Sequence, residues 1–229
     1  EVVAFIDDDA VAEPTWIARL VELYDSTEAV AAGGNVESAW VDSRPWWFPD
    51  EFYWLVGVTE PGFAEDGQEV RNVYGCNISY RRDAFLEVGG YDTKTGRKGN
   101  RNLQAHEAPV GIRLLQTFGK RMIFVEDAIV THTLFAYRGR ARWLLRRAFW
   151  QGYSKRVMHR LYPDAPDTER AYLRKIVMQA IPSRIRSLRG SDRIWMLGQL
   201  VMLVGLTTMV GLGYGVATMT PGLIDRVNQ

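Results

Sequence analysis

The chain is poor in cysteine and histidine, with one and three among its 229 residues, and one long stretch carries no charge at all. The lone Cys76 excludes an internal disulfide framework and a multi-cysteine zinc site, and it suits a reducing compartment. A single cysteine is more often a small buried residue than a nucleophile. No initiator methionine, signal peptide or leading helix precedes the first apolar run, so an N-terminal part is expected to be missing. No internal repeat or low-complexity tract is visible. The length suits one sizeable core with an appendage.

The uncharged stretch is Trp195 to Met219, 25 residues without Asp, Glu, Lys, Arg or His. About 20 mostly apolar residues cross the hydrocarbon layer of a bilayer. A transmembrane helix is therefore predicted over 193–220, with 221–229 as a short tail. Gly205, Gly211 and Gly215 offer it a close-packing face, and a buried core helix is the other reading. Arg184, Arg186, Arg189 and Arg193 crowd its N-terminal flank, against Arg226 beyond it. The positive-inside rule then sets the preceding domain on the cytoplasmic face of the cell membrane and the C-terminus outside.

A net charge of +1 conceals a strong asymmetry. Residues 1–137 carry 12 Lys and Arg against 22 Asp and Glu, whereas residues 138–189 carry 14 against 3. Such a basic block suits nucleic acid or an anionic membrane surface. It adjoins an apolar span and no nucleic-acid-reading module is visible, so the membrane is the expected partner and nucleic acid is not. Within it, 137–161 reads as an amphipathic helix in which Trp143, Leu144 and Ala148 alternate with Arg140, Arg142, Arg146, Arg147 and Lys155. That pattern fits a headgroup layer, and also a solvated helix packed on the domain. Pro163 and Pro166 mark a linker before a second basic helix, roughly 168–189.

At the start of the chain, Val2-Val3-Ala4-Phe5-Ile6 reads as a buried strand that breaks into Asp7-Asp8-Asp9. A helix with Trp16, Ile17, Leu20, Val21 and Tyr24 on its apolar face follows from near Pro14. Acids delivered between strand and helix lie where open α/β sheets bind ligands. Three clustered negative charges call for an offsetting group such as a divalent cation, although a solvated loop also carries such runs.

Further along, Ala29 to Ala32 reads as a strand that turns at Gly33-Gly34. Residues 40–63, dense in Trp, Phe and Tyr and interrupted by proline, read mainly as an aromatic loop or lid. Residues 76–80 form a strand, Asp83 to Val88 a short helix ended by Gly89-Gly90, and 93–102 a loop. A helix begins at Glu107, and Met122–Val125 and Ala128–Val130 are strand material leading to His132.

In order, Phe5-Ile6-Asp7-Asp8-Asp9-Ala10, Glu13-Pro14-Thr15-Trp16, Gly33-Gly34, Gly75-Cys76-Asn77-Ile78-Ser79-Tyr80-Arg81-Arg82, Val88-Gly89-Gly90-Tyr91-Asp92, Glu107, Gly111-Ile112-Arg113-Leu114 and His132 resemble the family 2 glycosyltransferases of the GT-A fold. The likeness covers about residues 1–135. The run Leu144 to Lys155 is similar to a subgroup, the archaeal enzymes that extend sugars on dolichyl phosphate, notably glucosyl-dolichyl-phosphate glucuronosyltransferases. The expected fold class is thus α/β. Residues 1–136 would be the C-terminal half of a GT-A mixed sheet, 137–192 basic membrane-surface helices, and 193–220 the transmembrane helix.

The resemblance implies an inverting transferase that uses a nucleotide-sugar donor, commonly a UDP-sugar with UDP-glucuronate as the candidate, together with Mg²⁺ or Mn²⁺. It implies a lipid-linked acceptor. Asp7 and Asp8 would contact the donor, Asp9 would ligate the metal with Asp8 able to share that role, and His132 would lie near metal or diphosphate. Glu107 would be the general base, although a helix N-terminal acid also serves the dipole. His106 could take that task instead. Gly75, Cys76 and Asn77 would let the backbone approach the donor sugar, and Asn77 also suits a turn. Arg146, Arg147 and Lys155 would hold the lipid phosphate. Two rivals remain. Asp7-x-Asp9 fits a haloacid-dehalogenase-like phosphatase, and a single acid at Glu107 fits a non-catalytic membrane scaffold.

Overall fold

The computed structural model describes residues 1–91, 107–163, 169–188 and 192–220. The 93–102 loop, Asp92, His106, Pro166, Arg189 and the 221–229 tail, all singled out in the sequence, lie outside the described residues. Two units form. The first takes in Glu1–Val41 and Gly57–Leu134, the second Asp42–Val56 and Phe135–Gln229.

The first unit is a mixed sheet with helices. Its strands are β1 (Val2–Phe5), β2 (Ala10–Ala12), β3 (Ala31–Trp40), β4 (Glu69–Val70), β5 (Ile78–Arg81) and β6 (Met122–Leu134), in the order β1-β5-β3-β6-β2, with β4 on β6. Only β3 and β6 pair in parallel among the described strands. Helix α1 (Trp16–Ser26) buries Trp16, Leu20 and Tyr24 against Ala32, Val125, Ala128 and Val130. Helices α2 (Arg82–Glu87) and α3 (Glu107–Phe118) join a second core, where Ala84, Val88, Val110 and Leu114 meet Ile78, Tyr80 and Met122.

Two sequence expectations change here. Gly33-Gly34 does not turn the chain: β3 runs straight through it to Trp40. A Cβ on Gly34 would lie 2.1 Å from the Ala128 carbonyl oxygen, and one on Gly33 2.2 Å from that of Asn77. The glycines therefore serve close backbone approach, at a register shift between β3 and β6. The two strand pieces near 122–130 are likewise one strand of 13 residues, which carries His132 buried within it and not at its end.

The second unit gathers the aromatic segment and the basic helices. Residues Asp50–Val56 wind into a 3-10 segment in which Phe52 and Leu55 are buried, with Phe48 just before them, so this part of the predicted lid is core. Helix α4 (Ala141–Leu161) follows, then α5 (Glu169–Lys175), a π turn (Ile176–Ala180), α6 (Ile181–Ser187) and α7 (Arg193–Met219). Arg184 does not sit loose at the flank of α7. It makes a two-pronged ion pair with Glu51, at 2.8 and 2.7 Å, and donates to Gln199. At 27 residues, with a mean hydropathy of 1.8 over an 18-residue window, α7 is long and apolar enough to cross a membrane. Its contact with α4 runs through Gly213, whose Cβ would lie 1.9 Å from the Phe149 carbonyl oxygen. Gly211 and Gly215 have no such neighbour and Gly205 meets the Leu145 side chain, so the predicted glycine face is largely replaced by Gly213.

Candidate active site

The position of the acids follows from strand pairing. β1 ends with Phe5 opposite Ile78 on β5, so the next residues of the chain pass over the turn that precedes β5. That turn is closed by the Asn77 amide donating to the Tyr74 carbonyl at 2.8 Å, with Gly75 and Cys76 at its corner. β2 then pairs with β6, setting Ala10 opposite His132, while the Thr133 amide donates to the Asp9 carbonyl at 2.8 Å. Asp7 and Asp8 are exposed and Asp9 is partly covered.

The structure brings Asp9 and His132 together. Asp9 Oδ1 is 3.3 Å from His132 Nε2, both side chains being largely covered. The other ring nitrogen, Nδ1, is 3.1 Å from the carbonyl oxygen of Gly57. A carbonyl can only accept, so Nδ1 carries a proton. Nε2 is then the ring nitrogen turned to the carboxylate. The carboxylate oxygen is a donor that Mg²⁺ and Mn²⁺ both accept, and the imidazole nitrogen weighs toward the transition ion, Mn²⁺, over the harder Mg²⁺. Among the described residues, no group of three or more His, Cys, Asp or Glu side chains is placed to hold a metal by itself.

Glu107 opens α3 and its carboxylate lies on Gly75: a Cβ there would come within 2.1 Å of Oε1. Cys76 is buried, and its thiol is pushed up to about 12, by burial first and then by the charges of Asp7, Asp9 and Glu107. The Tyr91 hydroxyl is also raised to about 12, by burial first, with Glu107 and Asp7 adding to it. Three carboxylates from two segments, the β1–β2 connection and the start of α3, thus share one small region around the 74–77 turn. Cys76 there is a packed thiol, not an ionised nucleophile.

Asn77 belongs to the interior. Its side chain accepts from Trp16 Nε1 at 2.8 Å and donates to the carbonyls of Asn35 and Ala128 at 2.9 and 2.7 Å. It ties α1, β3 and β6 to the turn, and so holds Gly75 and Cys76 in place without presenting its own amide outward. Gly57, a glycine at φ 75°, is the supporting residue that pattern reading missed; Trp16 is legible on the apolar face of α1 and within the family-like run Glu13–Trp16, but not as the hydrogen-bond partner of Asn77.

Residues 1–89, which contain the acids and the turn, match the family model described as glycosyl transferase family 2. Over 230 aligned residues the chain is 51% identical to the glucosyl-dolichyl phosphate glucuronosyltransferase of Haloferax volcanii, covering all of this chain and 74% of that protein. The chain belongs to glycosyl transferase family 2.

This family 2 chain is also 27% identical over 151 residues to the succinoglycan biosynthesis protein ExoM of Rhizobium meliloti, covering 65% of this chain and 45% of that one. Among solved structures, GalNAc-T7 with UDP, GalNAc and Mn²⁺ aligns at TM-score 0.42 and 13% identity, over 76% of this chain and 37% of that one. The mannosyltransferase PcManGT of Pyrobaculum calidifontis, with GDP-Man and Mn²⁺, aligns at TM-score 0.44 and 15% identity, over 91% and 61%. Membership in the family displaces the phosphatase alternative. It agrees with the mixed α/β sheet observed.

The predicted lipid-phosphate residues lie in the second unit, on α4. Arg147 donates to the Leu55 carbonyl at 3.0 Å and lies over the Trp143 ring, and Lys155 lies over the Trp54 ring at 5.2 Å. Arg146 is exposed.

Proposed function

We propose that this chain carries the acceptor-side and metal-side part of an inverting transferase. The enzyme moves a sugar, glucuronate from UDP-glucuronate being the first candidate, onto a sugar borne by dolichyl phosphate. The observation that carries this reading is the convergence of Asp7, Asp9 and Glu107 on the 74–77 turn, with Glu107 seated on Gly75. The 51% identity to a glucosyl-dolichyl phosphate glucuronosyltransferase supports the choice of donor and acceptor.

Asp9 and His132 would hold Mg²⁺ or Mn²⁺, and diphosphate oxygens would complete the coordination, as is usual for a cation bound by few protein groups. The metal supplies charge neutralisation to the departing diphosphate. Asp7 and Asp8 face the nucleotide part of the donor. Glu107 takes the proton from the acceptor hydroxyl while that oxygen bonds to the anomeric carbon; the bond from that carbon to the diphosphate breaks, and the nucleoside diphosphate leaves. One displacement by one base inverts the anomeric centre. The Gly75 corner keeps the carboxylate close to the turn, and Asn77 keeps the turn fixed.

The second unit holds the enzyme at the membrane, on the cytoplasmic side, where anionic lipids attract the arginine-rich block. The exposed Arg146 offers its guanidinium to the lipid phosphate, and Arg147 and Lys155 brace that surface against the 3-10 segment.

The test uses full-length protein, labelled UDP-glucuronate and glucosyl-dolichyl phosphate. Asp9→Ala should abolish transfer and metal-dependent donor binding, whereas Glu107→Gln should abolish transfer and leave donor binding intact. Wild-type-like transfer by Glu107→Gln removes the base assignment. If calorimetry detects no metal-dependent binding of any UDP-sugar, the scaffold reading replaces the enzymatic one.

A further inference from the structure

Six exposed apolar side chains of α7 fall on one stripe, while the exposed Trp195 lies off it beside Trp46. Ile194, Leu197, Val201, Val204, Leu212 and Met219 are between 46 and 75% exposed, and their spacings repeat the helical face. The opposite face, Leu203, Leu206, Gly213 and Ala217, is buried. Against that face lies α4. Leu145 meets Gly205, Gly152 meets the Val210 carbonyl, and Gly213 meets the Phe149 carbonyl. Further on, Arg156 stacks over the Tyr214 ring at 5.6 Å, and His159 Nδ1 is 3.2 Å from its hydroxyl. The contacts advance in the same direction along both helices, so α4 runs beside α7 and not past its end.

This arrangement conflicts with a bilayer-crossing α7. Leu206 is the middle residue of the helix, and the neighbouring Gly205 packs on Leu145. Arg146 follows Leu145, and Arg142 precedes it by one turn; both are exposed. A crossing α7 would therefore carry two exposed guanidinium groups near the mid-plane of the hydrocarbon, the most costly depth for them. α7 is apolar on every side, and α4 supplies the polar face that it lacks.

We propose that α7 lies in the plane of the membrane and does not cross it. Its stripe sinks into the acyl chains of one leaflet, while the arginines of α4 sit level with anionic headgroups. Packed as a pair, the two helices form one amphipathic slab of the kind that binds an interface. Both ends of α7 are then on the same side of the bilayer, contrary to the expectation from flanking charge. The proposal rests on the membrane attachment put forward above.

Single cysteines replacing Ile194, Val201, Val204, Leu212 and Met219 in the full-length protein, each carrying an environment-sensitive fluorophore, decide it. The proteins are bound to vesicles of phosphatidylcholine and phosphatidylserine that contain nitroxide lipids at fixed depths; Cys76 is buried and does not compete for label. An in-plane helix gives the same shallow depth at all five sites. A V-shaped profile, with Ile194 and Met219 shallow and Val204 deepest, overturns the proposal. Protein that fails to float with vesicles at all removes the membrane attachment itself, a separate outcome from the wrong orientation.

Discussion

The carboxylate of Glu107 occupies the space that a side chain on Gly75 would fill, with Oε1 only 2.1 Å from the place of the absent Cβ. The obstructing atom is the end of a flexible side chain. Gly75→Ala should therefore leave folding nearly intact and push the carboxylate aside. A base displaced by about 1 Å costs on the order of 100-fold in rate. We expect kcat to fall by roughly that factor with little change in donor affinity or Tm. An unchanged kcat would show that the position of Glu107 does not matter for transfer.

Asn77→Ala should act on the fold. It leaves the Trp16 indole N–H and the carbonyls of Asn35 and Ala128 without their partner in the interior. Each buried group left unpaired costs about 1–3 kcal/mol. Urea unfolding should register a loss of at least about 3 kcal/mol, the lower end of that range summed over the three groups. A loss below about 0.5 kcal/mol, the size of an ordinary surface change, would contradict the interior role.

Gly34→Ala should be worse than Gly211→Ala. At Gly34 the new methyl meets two backbone carbonyl oxygens, of Ala128 and Val125, which cannot swing away. Overpacking of this kind costs typically 1–3 kcal/mol or more. At Gly211 nothing lies within 4 Å. Expression and Tm of the two variants, compared side by side, check the contrast; equal behaviour would refute it.

The Cys76 thiol, raised from 9.0 to about 12 by burial before all else, should resist a water-soluble disulfide reagent at pH 8 until the protein is unfolded. The sign of its effect on stability follows from the same shift. The folded state favours the neutral thiol, so its contribution is whole below the unfolded pKa. It declines as pH rises from about 9 toward about 12. Rapid labelling of native protein at pH 8 would show that the thiol is not enclosed.

The acids, the turn at Gly75 and the start of α3 at Glu107 were legible because each is a local pattern: an apolar run that stops, a small residue before a strand, an acid before a helical period. Gly33-Gly34 was misread because glycine serves both turns and close backbone contact, and only the partner strand tells which. The interruption of β6 by Glu126-Asp127 looked like a break for a similar reason; a long strand tolerates two exposed acids where it leaves the core. Aromatic density between 40 and 63 could not reveal that Phe48, Phe52 and Leu55 pack inward. On α7 the spacing of glycines was visible, but the choice of Gly213 over Gly211 and Gly215 is made by α4, which lies 50 residues or more away along the chain.

The segment from Ile6 to Asp9 is fastened at both ends, by β1 to β5 on one side and by β2 to β6 on the other. It behaves as a strap drawn across the end of the sheet, and its acids are held before any ligand arrives. With the backbone fixed, the proposed binding of a cation would order little of this segment. The weak buckle is β2, three residues long. On the proposed function, a change that frees Ala10–Ala12 from β6 would slacken the strap and weaken donor binding while every acid stays in the sequence.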